Sequence, residues 1–458
     1  MNYVQKLSLA LIAFALTACD SDSTTFVSTP PPETFDLQIL HASPDAPAVD
    51  VVVNGSAALE NVDYKVGSGR LELDVGTYSV AVEGILPGGN TPVIGPVDLT
   101  FDADTIYSVV AVNDVANIEP VIVTQPRTAV SASSARLHVL HAAAAAPQVD
   151  VYVTAPDADL AASPTVGSFA FKETIGPAEV AAGEYQIRVT LAGDPDSVVY
   201  DSGTRTLNDG DDLFIAAVPT AAPASTFTAS PISLVILTGT DSVEYLDAGA
   251  NAALRAFHAS PDAPDVDIVV NDNFAAPLVE DFTFSQVAGY VPVGPASYNV
   301  KVVPANPQNA VIKRDVTLAA GEVYDVLAVG LLASIEPLIL NDDPRVVNTH
   351  AKVRIIHASP AAQNVDIYVA APGTDISTIT PAFEDIPFKG STGYVGLPAD
   401  ADGETYEVTV VATGTTTPAI GPAEFTFFNG DVVTVVARDA AGGGAPLDVI
   451  VTNDAPAL

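Results

Sequence analysis

One phrase occurs four times in this chain: a histidine and an alanine close an alternating apolar run, a short loop follows, and Val-Asp opens a second run. It stands at 37–53 (LQILHASPDAPAVDVVV), 137–153 (LHVLHAAAAAPQVDVYV), 254–270 (LRAFHASPDAPDVDIVV) and 353–369 (VRIIHASPAAQNVDIYV). Repetition constrains the fold strongly, since every copy has to bury its own apolar face with the residues around it. The histidines His41, His141, His258 and His357 lie 100, 117 and 99 residues apart, which is the length of one small domain.

Within a copy the apolar residues alternate with period two. Leu37, Ile39 and His41 share one face of a strand and Gln38 and Leu40 the other, while Val49, Val51 and Val53 are in phase on the next. Each copy later carries a Gly, a Tyr and renewed alternation, as in Tyr78/Val80/Val82, Tyr185/Ile187/Val189, Tyr298/Val300/Val302 and Tyr406/Val408/Val410. Helical periodicity is confined to the first residues, and 31 Gly and 36 Pro punctuate the rest. The reading is all-β: a tandem array of four immunoglobulin-like β-sandwich modules of about seven strands, with small β-barrels as the alternative. Module boundaries are placed at 36–127, 134–240, 251–345 and 350–455.

The modules alternate in type. Modules one and three share HASPDAP and Ile-Glu-Pro (118–120, 335–337); modules two and four share Tyr-Val-x-Ala-Pro (from Tyr152 and Tyr368) and Phe-Lys (Phe171-Lys172, Phe388-Lys389). The offset is 217 residues for His41/His258, Ile118/Ile335 and Phe171/Phe388, and 216 for His141/His357. A two-module unit has been duplicated whole. Modules one with two and three with four are expected to pack as pairs, with the polar joint at 238–251 as the hinge between them.

The N-terminus reads as an export signal over 1–18. Lys6 precedes the apolar run 7–16 (LSLALIAFAL), and Leu16-Thr17-Ala18-Cys19 resembles the lipobox of bacterial lipoproteins. Cys19 is the only cysteine, so it has no intrachain partner and is assigned to lipid attachment. Residues 19–35, polar and Pro-rich, would form a flexible tether. The expected location is the bacterial cell envelope, with the chain held to a membrane through lipid on Cys19. Lys plus Arg number 17 and Asp plus Glu 56, a formal charge of −39, which disfavours nucleic acid as a partner and admits a divalent cation.

The HASPDAPxVDVxVN phrase, the Gly-x-Tyr strand and the late Tyr-x-Val strand together resemble the family called domain of unknown function 4397, found in exported proteins. The resemblance spans nearly the whole mature chain, with modules one and three matching best. Module two replaces Ser-Pro-Asp with Ala143 to Ala145, and module four has Gln363 where Pro is expected. It implies fold and export, and no catalytic residue.

Chemistry is sparse. The motif pairs His41/Asp50, His141/Asp150, His258/Asp267 and His357/Asp366 keep a nine-residue spacing while the loop between them varies, which is the mark of a turn constraint. They are read as structural: imidazoles holding the loop, carboxylates capping backbone N–H groups. Asp45 and Asp262 add a second carboxylate in modules one and three, making Asp45/Asp50 and Asp262/Asp267 weak metal candidates. The acidic turns 209–212 and 400–403 need no ion to form. Nucleophile-elbow, zinc-protease, phosphate-loop and dinucleotide motifs are missing, so no cofactor and no catalysis are expected. The functional expectation is a non-catalytic binding or scaffold array with an unknown protein or glycan partner. The alternatives are a periplasmic factor acting on a membrane protein and a hydrolase of unrecognised type.

Overall fold

The computed structural model describes residues 32–221, 230–304 and 310–454. The signal segment, Cys19 and most of the tether lie outside the described residues. Module one comprises β1 (Thr34–His41), β2 (Val49–Val53), β3 (Ser56–Val62), β4 (Leu71–Asp74), β5 (Gly76–Gly84), β6 (Thr91–Phe101), β7 (Thr105–Val112) and β8 (Glu119–Pro126). Asn54 and Gly55, both at positive φ (50° and 78°), make the two-residue turn between β2 and β3, a geometry that Asn-Gly adopts at little cost. The strands form two four-stranded sheets in the orders β4-β1-β7-β8 and β3-β2-β5-β6.

The same two orders recur in every module, so the chain is a row of open sandwiches and no barrel closes. Modules one, three and four have eight strands and module two nine, where about seven were expected, and the order is its own. Immunoglobulin constant domains place their first strand at the edge of an ABED sheet, beside the second. Here β1 lies between β4 and β7 and runs parallel to β7, pairing Asp36 with Ile106 through His41 with Ala111.

Each first strand is buried on both faces. In module one Leu37 packs inward with Phe35, Phe101 and Tyr107. Leu40 points the other way into a second core shared with Val110, Val112, Leu140, Phe214 and Leu237, the last three from module two. Phe257, Leu327, Ile356 and Val436 build the matching core between modules three and four. Each pair is therefore four sheets deep, and the outer face of one sandwich is the inner face of the pair. Leu40 and Leu140 are both fully buried there, and such burial stabilises by about 1.5–3 kcal/mol per side chain.

The joint at 238–251 is not an open hinge. Ser242–Tyr245 adds a fifth strand to a sheet of module two, beyond the boundary drawn at 240. Tyr245 accepts a hydrogen bond from Tyr200 at 2.9 Å and carries Arg205 over its ring at 4.2 Å. Lys65 of module one pairs with Glu244 at 2.6 Å. A polar stretch reads as a loop from sequence, yet one alternating tyrosine facing a core is enough to pair it.

Candidate functional site

The four motif loops are where sequence places whatever chemistry the chain has. Each first strand ends on its histidine, which is at most 2% exposed in all four modules. His41 Nε2 lies 3.0 Å from the carbonyl oxygen of Pro47, His141 Nε2 3.2 Å from that of Pro147, His258 Nε2 3.3 Å from that of Pro264, and His357 Nε2 2.9 Å from that of Gln363. The acceptor is always six residues on. Because the bond is to main chain, Gln363 serves as well as proline.

A carbonyl only accepts, so Nε2 carries the proton. Nδ1 of His41 in turn accepts the Ser43 N–H at 3.2 Å, and Nδ1 of His357 the Ser359 N–H at 3.3 Å. Burial holds all four imidazoles below the usual histidine range, and the carbonyl bond only partly opposes it. In His41 and His357 both nitrogens are thus engaged, while in His141 and His258 Nδ1 is buried without a hydrogen-bond partner; in all four the Nε2 proton is held by main chain.

The aspartate three residues past that carbonyl is also spent on main chain. Asp50 accepts the Asn61 N–H at 2.9 Å, Asp267 the Asp281 N–H at 3.0 Å and Asp366 the Asp385 N–H at 2.8 Å. Asn61, Asp281 and Asp385 all sit at positive φ, beside a register shift in the third strand where an N–H leaves the ladder. Asp150 instead accepts the Gly193 N–H at 2.7 Å and the Ser168 hydroxyl. Asp366 gains the Gly414 N–H at 2.9 Å as well. Burial pushes its carboxyl up, but these donors together outweigh burial and hold it below the usual carboxylate range.

Asp45 and Asp262 have a different task. Asp45 Oδ1 accepts the Val115 N–H at 2.7 Å and Asp262 Oδ1 the Leu332 N–H at 2.6 Å, each capping a single 3-10 turn, Val115–Asn117 or Leu332–Ser334. Modules two and four have Ala145 and Ala361 at this position. Among the described residues no three His, Cys, Asp or Glu side chains gather as a metal-binding group. In the acidic turns, Asp400 accepts from the Asp402 and Gly403 N–H groups, both at 2.9 Å, and Asp211 from the Asn208 N–H at 2.7 Å.

The motif loop of module one also serves as a landing place. Residues 343–350, which lead into module four, lie against it: Asn348 donates its N–H to Asp45 O at 2.9 Å and its amide to Asp45 Oδ2 at 2.8 Å. Arg345 donates to Ala46 O at 2.8 Å and pairs with Asp63 at 2.6 Å. In module three, the Pro261 carbonyl accepts the Gly442 N–H of module four at 2.7 Å.

Sequence reasoning passed over a buried ionic cluster between modules three and four. Arg255, 2% exposed, meets Asp325 at 2.7 Å, Asp342 at 3.0 Å and Asp454 at 2.6 Å; Arg354 meets Asp325 and, at 3.0 Å, Asp342. Tyr290 and Tyr394 donate to Asp342. A signal was there: with only 17 basic residues in the chain, three arginines inside His strands stand out, Arg136, Arg255 and Arg354, and the last two build this cluster.

Against known proteins, the family model described as domain of unknown function (DUF4397) matches residues 35–152 and 252–368. Each window begins at the first strand of one module and ends within the Val-Asp strand of the next, so the match repeats with the duplicated unit. No curated protein matches the sequence. Among solved structures, one on alpha-glucan recognition by family 41 carbohydrate-binding modules from streptococcal virulence factors aligns at 12% identity and a TM-score of 0.16, covering 40% of this chain and 93% of that one. The Bacillus anthracis TIE protein aligns at 11% identity and a TM-score of 0.15, covering 89% of this chain and 68% of its own. Likeness this slight carries no inference about ligand.

Proposed function

The chain belongs to the DUF4397 family, and from that footing we propose that it is a lipid-anchored, non-catalytic array of the bacterial cell envelope, offering its modules to a protein or glycan partner. One observation carries the non-catalytic reading: all four motif histidines are bound to main-chain carbonyls and all four motif aspartates to main-chain N–H groups. General acid-base work needs a group free to exchange a proton with a substrate. Here the groups most regular in sequence hold loops.

The anchor rests on Cys19, the only thiol in the chain, preceded by Leu16-Thr17-Ala18 after an apolar run. Several acyl chains at about 0.8 kcal/mol per buried CH₂ hold a protein to a bilayer where a single chain does not. The strong acidity, −39 in formal charge, keeps such an array soluble and away from anionic surfaces. Labelling cells with a palmitate analogue tests the anchor. The chain should take up label and sediment with membranes, and Cys19→Ser should do neither; equal labelling of the variant ends the lipoprotein reading.

A further inference from the structure

The four sandwiches share topology but not packing. Between the sheets of modules one, two and three the unfilled volume is about 40, 70 and 40 Å³, while module four holds about 250 Å³. The register of the parallel strand pair shows one difference. Leu37 faces Tyr107 in module one, Leu137 faces Leu213 in module two and Leu254 faces Tyr324 in module three; in module four the same pair is Val353 and Val433. Two large side chains have become two valines in one core; Val353 lines the cavity directly, and Phe425, which stands where modules one and three have Leu99 and Val316, does not refill it.

The cavity wall is apolar: Val353, Ile355, Val408 and Val410 from the strands, with Phe425 and Phe427 at one end. Gly421 and Asp448 are its exposed members. They lie on 418–427 and 448–453, the edge strands of the two facing sheets, so the opening is the slot between those edges. At the rim Asp448 is already paired with Arg438 at 2.8 Å. An apolar space of about 150 Å³ stays dry and admits benzene. A larger one with the same kind of wall holds more hydrocarbon and gives a charged or strongly polar ligand no hydrogen-bond partner inside.

We propose that module four is a binding site for a small neutral hydrophobe, a single aromatic ring bearing an alkyl substituent or a short alkyl chain, lodged between its sheets through the slot beside Gly421 and Asp448. The other three modules are filled by their own side chains and take no such ligand. The site is independent of any partner that the array engages through its surface.

Ethylbenzene is the probe. Titrated into the full chain with methyl-labelled valine, leucine and isoleucine, it should give saturable shifts at Val353, Ile355, Val408 and Val410 and none at their counterparts in the other modules. Val353→Leu combined with Val433→Tyr, which installs the residues of modules one and three, should weaken binding at least tenfold and raise Tm. Shifts spread over all four modules, or undiminished binding in a folded double variant, would overturn the proposal. Should the double variant fail to fold, crystals of the unaltered protein under xenon decide: density in module four alone supports the site, and its absence there refutes it.

Discussion

His41, His141, His258 and His357 each carry their proton toward a carbonyl six residues away, and this gives the protein a sensitivity to acid that its acidic composition hides. Their folded-state pKa lies below the ordinary value of about 6.5 because burial disfavours the charged ring. His350 follows them down to about 4, through burial and then its neighbours Lys352 and Arg345. Below pH ~6.5 the unfolded chain takes up protons that the folded chain refuses, so the histidine contribution is complete above that pH and is lost as pH falls through the folded values. The denaturation midpoint should fall between pH 7 and pH 5, with proton uptake on unfolding; a flat profile would count against neutral buried rings. The alternation of Leu37, Ile39 and His41 made the inward phase of the ring legible in sequence. Its acceptor was not, because a backbone carbonyl leaves no trace in residue identity: Pro47, Pro147, Pro264 and Gln363 have only their position in common.

Among the elements, the sheets that face each other across a module pair repay comparison. Gln38 pairs with Ser108 in the strands of module one; at the same register Arg255 pairs with Asp325 in module three. His138 beside Phe214 in module two becomes Arg354 beside Thr434 in module four. At the centre of one interface the groups are neutral, Gln38 bonded to Ser108 at 2.7 Å within module one and His138 to Gln125 at 3.1 Å across it, with the ion pairs Lys65–Glu244, Arg70–Asp212 and Lys172–Glu119 less deeply buried; the other is centred on buried arginines and aspartates. A buried charge left without its partner costs far more than the pair contributes, so the two interfaces are not interchangeable: module four against module one would strand Arg354. Asp325→Ser alone should destabilise by about 3–5 kcal/mol, and adding Arg255→Gln should recover part of that loss. Urea denaturation of the two single variants and the double reads the coupling, and strict additivity would mean that the pair is not the unit argued here. The sequence pattern marked Gln38 and Leu40 as the second face of β1. It could not say that the face is covered, because a strand buried against another module alternates like one half in water.

Seen whole, the molecule is two copies of a two-module unit, and the offset of 217 residues showed that before any coordinate. The contacts that bring the copies together were not legible, since Arg345 and Asn348 sit in a joint with no counterpart motif. Arg345→Ala should free the 42–48 loop of module one, seen as faster amide hydrogen exchange there and unchanged exchange in the strands; no local change would show that the joint merely rests on the loop. The parallel pairing of β1 with β7 carries a further consequence, for the order of events as the chain emerges. Asp36 meets Ile106, and in module four Lys352 meets Val432, across 70 and 80 residues. No module can seat its own central strand until nearly all of it has been made, and contacts so distant in sequence form slowly. During synthesis the chain is thus a series of unfinished modules, each holding its first strand open until the seventh arrives.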